Sequence, residues 1–197
     1  MARRVGAPMI TQPARRRCNG SCAWAVENRL VLAQLATEEK SNEITAIPLL
    51  MQQLVLEGCI VTIDAMGTQT KSAQQIIEQE GDYALALKDN QGNLYDEEQA
   101  TFTLAEQATF ATVACESRRT VAKAHGRLEI REYWTNSDPA ILAYLDPEQR
   151  WKGLRGIGMV RAERRIEHEI TKETRYFLLS FSAVKTLAYA VRSRLSH

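Results

Sequence analysis

CIVTIDAMGTQTKSAQQIIEQEGDYALALK, residues Cys59–Lys88, is the stretch that decides the fold. Its first part, Cys59–Ala65, is a short and nearly continuous apolar run, which is typical of a strand buried on both faces. Gln69–Glu80 carries apolar residues at helical spacing, and Gly81 ends that helix. Asp82–Lys88 is a second apolar strand. A strand, a helix and a strand joined by short links predict a βαβ unit, whose two strands lie parallel in one sheet.

Further elements extend this unit in both directions along the chain. Before it, Ala23–Leu35 predicts a hairpin with its turn at Glu27-Asn28, and an amphipathic helix runs from Ser41 to Gly58. After it, the pattern predicts a helix over Asn90–Ala108 and two extended segments, Thr112–Lys123 and Arg127–Thr135. A capped helix over Ser137–Leu145 follows, then a hairpin of Gly156–Arg165 with Glu169–Ser180, and a closing helix from Ser182 onward. The predicted fold class is α/β, with a mixed sheet flanked by helices and β-rich material before the last helix.

Composition excludes several classes of protein. The chain has 197 residues and a mass of 22.2 kDa, which suits one domain. Apolar residues make up 45% and charged residues 25%, so a disordered or fibrous chain is excluded. The 25 Lys and Arg residues nearly cancel the 24 Asp and Glu residues, which argues against a protein that binds nucleic acid by bulk charge alone.

Neither a membrane span nor a secretory leader is expected. No window approaches the roughly 18 continuous apolar residues of a spanning helix. Residues 1–17 carry arginines, no acid and no apolar core, which predicts a solvated arm. The cysteines lack C-x-x-C spacing, so we expect free thiols in a reducing cytoplasm rather than a metal site at Cys18 and Cys22.

Asp64 is the first candidate for chemistry, because it ends an otherwise apolar buried strand. A carboxylate there is costly to ionise unless a cation or a hydrogen-bond donor lies beside it. Ligands and metal ions also favour the carboxyl ends of parallel strands. The sequence leaves two alternatives: a metal-binding or catalytic carboxylate, or an aspartate that caps a helix or closes a turn.

Polar residues after the second strand are candidates for contacts with phosphate oxygens. Lys88, Asn90 and Gln91 follow that strand directly, so they are expected to reach the crevice beside Asp64. The alternative is a polar loop in which Asn90 caps the next helix.

A second candidate group lies in the segment that begins at His125. Arg127, Glu129 and Arg131 share one face of a predicted strand, because side chains alternate with a period of two. Such a row suits a phosphodiester backbone, and it equally suits a solvated ladder of cross-strand ion pairs.

Several motifs in this order resemble the H-repeat-associated insertion-sequence transposases of the DDE superfamily, which have an RNase H-like fold. The motifs are EKSNEITAIP (Glu39–Pro48), VTIDAMGTQ (Val61–Gln69), GDYALALKDNQGNLY (Gly81–Tyr95), HGRLEIREYW (His125–Trp134), ETRYFLLS (Glu173–Ser180) and AVRSR (Ala190–Arg194). The resemblance covers roughly residues 23–194. It divides the chain into an Arg-rich arm over residues 1–22 and a partial catalytic domain over residues 23–197. In that domain, residues 23–108 and 182–197 form the core and residues 109–181 a β-rich insertion.

The resemblance implies DNA cleavage and strand transfer at the ends of an insertion element. In the complete family, three acidic residues hold two divalent ions, Mg²⁺ or Mn²⁺, which activate the attacking oxygen and stabilise the leaving oxygen. Asp64 matches the second of these acids and is the expected catalytic and metal-binding residue. DNA is the implied partner, with no small-molecule substrate and no membrane. A homo-oligomer and a bacterial, nucleoid-associated location are also implied.

Two departures from the family pattern bear on activity. The first acid stands in an Asp-Gly-Lys motif on the strand before Ala23, and residues 1–22 contain no acid. The third stands in a Trp-x-Ile-Glu-Asn motif that has no counterpart after Arg194. We therefore expect a pseudogene-like fragment that lacks the first strand of its sheet, holds metal weakly or not at all, and does not cleave DNA.

Two alternatives to a transposase fragment remain. One is a non-catalytic remnant that binds DNA through Lys88, Asn90, Gln91, His125, Arg127, Arg131 and the Arg-rich arm. The other is a small structural or interaction domain that does not contact nucleic acid. The near-neutral charge is compatible with this last class, whereas the motif set is not.

Overall fold

A single mixed sheet of nine strands organises the described part of the chain. The computed structural model describes residues 9–11, 20–25, 30–36, 41–108, 115–124, 127–167 and 169–191. The strands are β1 (Met9–Thr11), β2 (Gly20–Ala25), β3 (Leu30–Ala36), β4 (Ile60–Ile63), β5 (Asp82–Leu87), β6 (Cys115–Ala124), β7 (Arg127–Asn136), β8 (Gly156–Ile166) and β9 (Glu169–Leu179). The helices are α1 (Ser41–Gln52), α2 (Thr70–Glu78), α3 (Asn93–Gln107), α4 (Pro139–Leu145) and α5 (Val184–Ala190). None of the described helices is long and apolar enough to cross a membrane.

The strand order is β3-β2-β1-β4-β5-β9-β8-β7-β6. The predicted βαβ unit is confirmed, because β4 and β5 pair in parallel on either side of the connection through α2. All four residues of β4 are buried, as the nearly continuous apolar run predicts. This order and these directions fit the RNase H-like α/β sheet that the resemblance implies.

The expected absence of the first strand is wrong for this structure. Met9–Thr11 lies between β2 and β4, antiparallel to the first and parallel to the second. The described pairing joins Met9, Ile10 and Thr11 to β4, and Ile10 and Thr11 to β2. The physical reason is that two flanking strands leave backbone N–H and C=O groups that a short extended segment can pair, whatever its side-chain pattern.

The predicted hairpins are also confirmed. β2 pairs with β3 and β8 pairs with β9, both antiparallel. The turn predicted at Glu27-Asn28 lies outside the described residues.

Strands β6–β9 continue the central sheet, because β9 pairs with β5. Tyr176 lies opposite Leu87, the last residue of β5, so the rest of β9 runs beyond the carboxyl end of β5. The neighbouring strands follow the same register. We call this projecting part, residues 118–124, 127–133, 160–166 and 169–175, the β-arm.

Helices cover both faces of the sheet. One core contains residues of α1 to α4, among them Ile76 and Phe102, packed with Met159 of β8. The other contains Leu187 of α5 packed on the opposite face with Phe177 and other strand residues. This two-sided burial matches the unbroken apolar character of the central strands.

A charged contact fastens the β-arm to α3. The Arg161 guanidinium donates two hydrogen bonds to the Glu106 carboxylate and lies 5.5 Å from the centre of the Trp134 ring. The guanidinium lowers the pKa of Glu106, mainly through these hydrogen bonds. The contact is partly exposed, so its main effect is to orient the β-arm rather than to stabilise it strongly.

Glu98 of α3 is a fully buried carboxyl group facing the sheet. One of its oxygens accepts a hydrogen bond from the Phe177 N–H at 3.2 Å and another from the Gly158 N–H. Its second oxygen has no hydrogen-bond partner in the described part of the chain. Desolvation raises the pKa of Glu98 well above its usual value, and the two backbone donors oppose that shift only in part.

We therefore expect Glu98→Gln to raise the melting temperature at pH 8. Between the unfolded and the native pKa of Glu98 the native state binds more protons than the unfolded state, so native stability falls there by up to about 1.4 kcal/mol per pH unit. Glutamine keeps the acceptor without the titration. Thermal melts between pH 5 and pH 8 should give a difference that grows with pH. Glu57→Gln, at an exposed loop position, is the control; a difference independent of pH would contradict the assignment.

Candidate functional site

Asp64 is an exposed residue immediately after β4. The four preceding residues are buried, so Asp64 is the point at which the chain leaves the sheet. Helix α2 begins at Thr70 with Gln69 as its N-cap residue, so Asp64 does not cap it. Its backbone carbonyl accepts hydrogen bonds from the Gly67 N–H and the Thr68 hydroxyl. Its carboxylate accepts none from the residues that the structure describes.

The loop that carries Asp64 is bound to the carboxyl end of β5 by one buried hydroxyl. Thr68 donates from its side chain to the Ala86 carbonyl at 2.7 Å and to the Asp64 carbonyl at 3.0 Å. This contact fixes the loop across the β4–β5 pair. No local signal in the sequence points to Thr68, because a threonine before a helix is common and only the parallel register brings it to Ala86.

Asn90 and Gln91 also hold this loop. They lie in the short 3-10 turn Asp89–Gln91 that follows β5. The Asn90 side-chain amide donates to the Ala65 carbonyl at 2.8 Å, and the Gln91 amide donates to the same carbonyl at 2.9 Å. The Gln91 side-chain oxygen accepts from the Lys88 N–H at 3.0 Å. The structure thus brings these residues beside Asp64, as expected.

The alternative role of Asn90 as a helix cap does not hold. Helix α3 begins at Asn93, and its N-cap residue is Gly92. Lys88 is exposed at the same edge of the sheet. The charge of Lys88 is therefore open to a ligand, whereas the amide groups of Asn90 and Gln91 are engaged within the chain.

A polar groove of about 500 Å³ adjoins the edge. Its walls are the start of α2, the turn after β5, the start of α3 and the loop after α4, with Thr68, Gln91, Glu97, Arg150 and Trp151 among the lining residues. The Asp146 carboxylate shapes the last wall, because its two oxygens accept the Arg150 and Trp151 N–H groups at 2.9 Å. Sequence reasoning missed this wall, since the loop after α4 carries no local signal that it returns to β5.

The described residues contain no complete site for a divalent ion. Among them, no group of three or more His, Cys, Asp or Glu side chains is arranged to hold a metal. Asp64 supplies one exposed carboxylate of the hard-oxygen type that Mg²⁺ prefers. One such ligand does not make the two-metal site that the resemblance implies.

Arg127, Glu129 and Arg131 form a group of their own on the β-arm. The Glu129 carboxylate lies 3.5 Å from the Arg127 guanidinium and 2.9 Å from the Arg131 guanidinium. Glu129 is 8% exposed and Arg131 is 5% exposed. The ion pairs therefore join residues of the same strand, and Glu129 and Arg131 are buried. They differ from the solvated ladder of cross-strand ion pairs that was one of the two alternatives.

The predicted DNA-contacting residues thus fall into two separate groups. Four strand spacings separate β7 from β4 in the sheet, which amounts to about 19 Å. Lys88, Asn90 and Gln91 lie at the Asp64 edge, whereas Arg127 and Arg131 lie on the β-arm. His125 lies outside the described residues.

Comparisons with known proteins give a family and several relatives. The family described as "Transposase DDE domain" matches residues 11–186. An "Uncharacterized protein in dhlA 3'region" of Xanthobacter autotrophicus is 38% identical over 161 residues, 82% of this chain and 52% of that protein. The "H repeat-associated putative transposase YhhI" of Escherichia coli (strain K12) is 37% identical over 176 residues, 87% of this chain and 45% of that protein. The chain spans about half the length of these curated relatives.

We expect Gln91→Ala to loosen the Asp64 loop. The change removes three hydrogen bonds, to Ala65, Thr68 and Lys88, each with a net contribution of about 1 kcal/mol, so a loss of about 3 kcal/mol in unfolding free energy is expected. Hydrogen exchange of the amides of residues 64–69 should become faster. Gln74→Ala is the matched control, because its side-chain amide bonds only to Glu78 on an exposed helix face. Unchanged exchange at residues 64–69 would show that Asn90 and Thr68 hold the loop by themselves.

Proposed function

The chain belongs to the DDE-domain transposases, and from this premise we propose that it binds DNA in transposition through the Asp64 edge of its sheet. We further propose that Asp64 matches the second catalytic, metal-binding acid of the complete family. The observation that carries both proposals is the position of Asp64: it is exposed, at the carboxyl end of a buried parallel strand, with no hydrogen bond to its carboxylate among the described residues. Ligands bind at this end of parallel strands.

Lys88 is the residue of this edge best placed to meet a phosphate. It is exposed where β5 ends, and its ammonium group has no ion pair within the described part of the chain. We propose that Asn90 and Gln91 act at the same place by holding the Asp64 loop, since their amide nitrogens are bound to its carbonyls. Their predicted contacts with DNA stay a prediction.

The remaining predicted contacts lie on or next to the β-arm. Arg127 is half-buried and shares the Glu129 carboxylate with Arg131. Because that carboxylate offsets part of its charge, we propose a supporting role for Arg127 at the DNA backbone. Arg131 is buried, so its predicted contact with DNA stays a prediction. The contact predicted for His125, the homo-oligomer and the nucleoid association likewise stay predictions.

The divalent ions that the family generally uses do not fit the described residues as a complete site. Asp64 offers one carboxylate, and no cluster of three ligating side chains lies among the described ranges. We propose instead that this chain by itself binds DNA without cleaving it, as a non-catalytic remnant would.

The second candidate is an active transposase. It is favoured by the exposure of Asp64 and by a neighbouring strand, β1, that completes the sheet beside β4. The two candidates differ in one observable. A remnant binds DNA in a salt-sensitive way and leaves it intact, whereas an active enzyme converts it in the presence of Mg²⁺.

Asp64→Asn distinguishes them on a labelled element-end duplex. Without divalent ions, we expect the variant to bind about fivefold more tightly than the wild type, because one like charge about 4 Å from a phosphate costs about 1 kcal/mol in water. With Mg²⁺, we expect no cleaved or joined product from either protein. Fluorescence anisotropy measures the binding and denaturing gels detect the products.

Two outcomes would contradict this proposal. Mg²⁺-dependent cleavage that Asp64→Asn abolishes would establish the active enzyme. The absence of any binding at low salt would leave only the structural or interaction domain. Glu57→Gln removes a charge at an exposed loop position and serves as the control.

A further inference from the structure

Strand β6 is the outermost strand of the β-arm. It pairs with β7 on one side and has no partner strand on the other within the described part of the chain. Most of its side chains are exposed, in contrast to the buried strands at the centre of the sheet. An edge strand of ten residues offers a row of backbone N–H groups together with its side chains.

Three of the seven exposed residues of β6 are basic, and one is acidic. Arg118 and Lys123 make no ion pair with any described residue, and Arg119 lies 3.6 Å from Glu132 while remaining 61% exposed. The one acid of the strand, Glu116, is turned toward α5, because its carboxylate accepts a hydrogen bond from the Val184 N–H at the start of that helix. The outer edge therefore carries positive charge that its own strand does not neutralise.

Most cations of the inner strands of the β-arm have an acid beside them. On β8, the Glu163 carboxylate lies beside Arg165 and 3.6 Å from the Lys172 ammonium of β9. On β7, Glu129 lies between two arginines. Of the three β-arm cations without an ion pair to a described residue, Arg118 and Lys123 lie on β6 and Arg164 lies on β8.

We infer that β6 is a second contact surface for the phosphodiester backbone of duplex DNA, using Arg118, Arg119 and Lys123. The inference rests on the proposed function and extends it to a surface away from Asp64. Arg119 and Lys123 lie on the same face of the strand, about 14 Å apart, and Arg118 lies on the opposite face. Cations on both faces of an edge suit a polyanion that lies along it.

A second copy of this chain is a poor partner for this edge. Antiparallel pairing of two β6 strands would bring the arginines and lysine of one copy close to those of the other, and like charges across strands are destabilising. The simpler explanation of the charge is that it keeps the edge from pairing at all. That explanation predicts no effect of β6 on DNA binding.

The distance between the Asp64 edge and β6 sets the length of duplex that can contact both. Five strand spacings lie between β4 and β6, about 24 Å, and the β-arm projects from the same edge of the sheet that carries Asp64. At 3.4 Å per base pair, this distance corresponds to about seven base pairs. Because the β-arm also projects along the strand direction, a duplex that reaches both surfaces must extend at least about seven base pairs beyond the Asp64 edge.

The test compares two matched double variants of the full chain. Arg118→Gln with Lys123→Gln removes one arginine and one lysine from β6. Lys152→Gln with Arg155→Gln is the control, because it also removes one lysine and one arginine. Both residues are exposed in the loop before β8, and neither side chain makes an ion pair with a described residue. Thermal melts check that both remain folded, and fluorescence anisotropy with a labelled duplex gives binding constants over a range of salt concentrations.

We expect the slope of log K against log salt to fall in magnitude by about 1.8 units in the β6 variant, about 0.9 for each lost phosphate contact. The control should keep the wild-type slope. If the wild type binds and the β6 variant keeps the wild-type slope, the inference is overturned and the proposed function stands. Self-association of the β6 variant would then show that the cations of β6 serve to keep this edge from pairing with another strand. If the wild type does not bind at low salt, both are overturned.

Discussion

The parallel pairing of β4 with β5 is the constraint on which the rest of the structure depends. Both strands are buried on two faces, so their backbone groups must pair within the sheet. Parallel pairing aligns their carboxyl ends, and the chain leaves the sheet at Asp64 and at Lys88 side by side. The Thr68 hydroxyl then reaches the Ala86 carbonyl across the pair, and this contact holds the Asp64 loop against the next turn. The candidate site is a consequence of this pairing.

The β-arm depends on the same strand pair, because β9 pairs with β5 and carries the other strands of the β-arm with it. β9 pairs with β5 for only four residues, and the remainder of its length has to extend beyond Leu87. That remainder is stable because three neighbouring strands share it and because Arg161 joins it to α3. The near-cancellation of charge in the whole chain therefore conceals an uneven distribution. Acids accompany most cations of the inner strands, while β6 keeps most of its positive charge.

Local patterns predicted most of the elements of the fold. The apolar run before Asp64 and the cap and proline at Asp138-Pro139 each gave the right type of element, because a strand buried on both faces is apolar throughout and the start of a helix needs an acceptor for its free N–H groups. The resemblance to transposases was confirmed by the family match. The position of Met9–Thr11 was not predictable in this way. A strand held by backbone pairing on both sides needs no pattern in its own side chains.

The sequence by itself determined the βαβ unit, the family and the placement of Asp64 at the end of a strand, since these depend on residues near one another in the chain. Only the tertiary structure decided what the polar residues do. Asn90 and Gln91 turn inward to Ala65, Glu98 is buried against the backbone of β8 and β9, and Glu129 pairs along its own strand. For Asn90, Gln91 and Glu98 the partner is a backbone group of a distant segment, because a buried polar group must be paired and the partner is set by how the strands come together. The partners of Glu129 are local, and only its burial depends on the neighbouring strands.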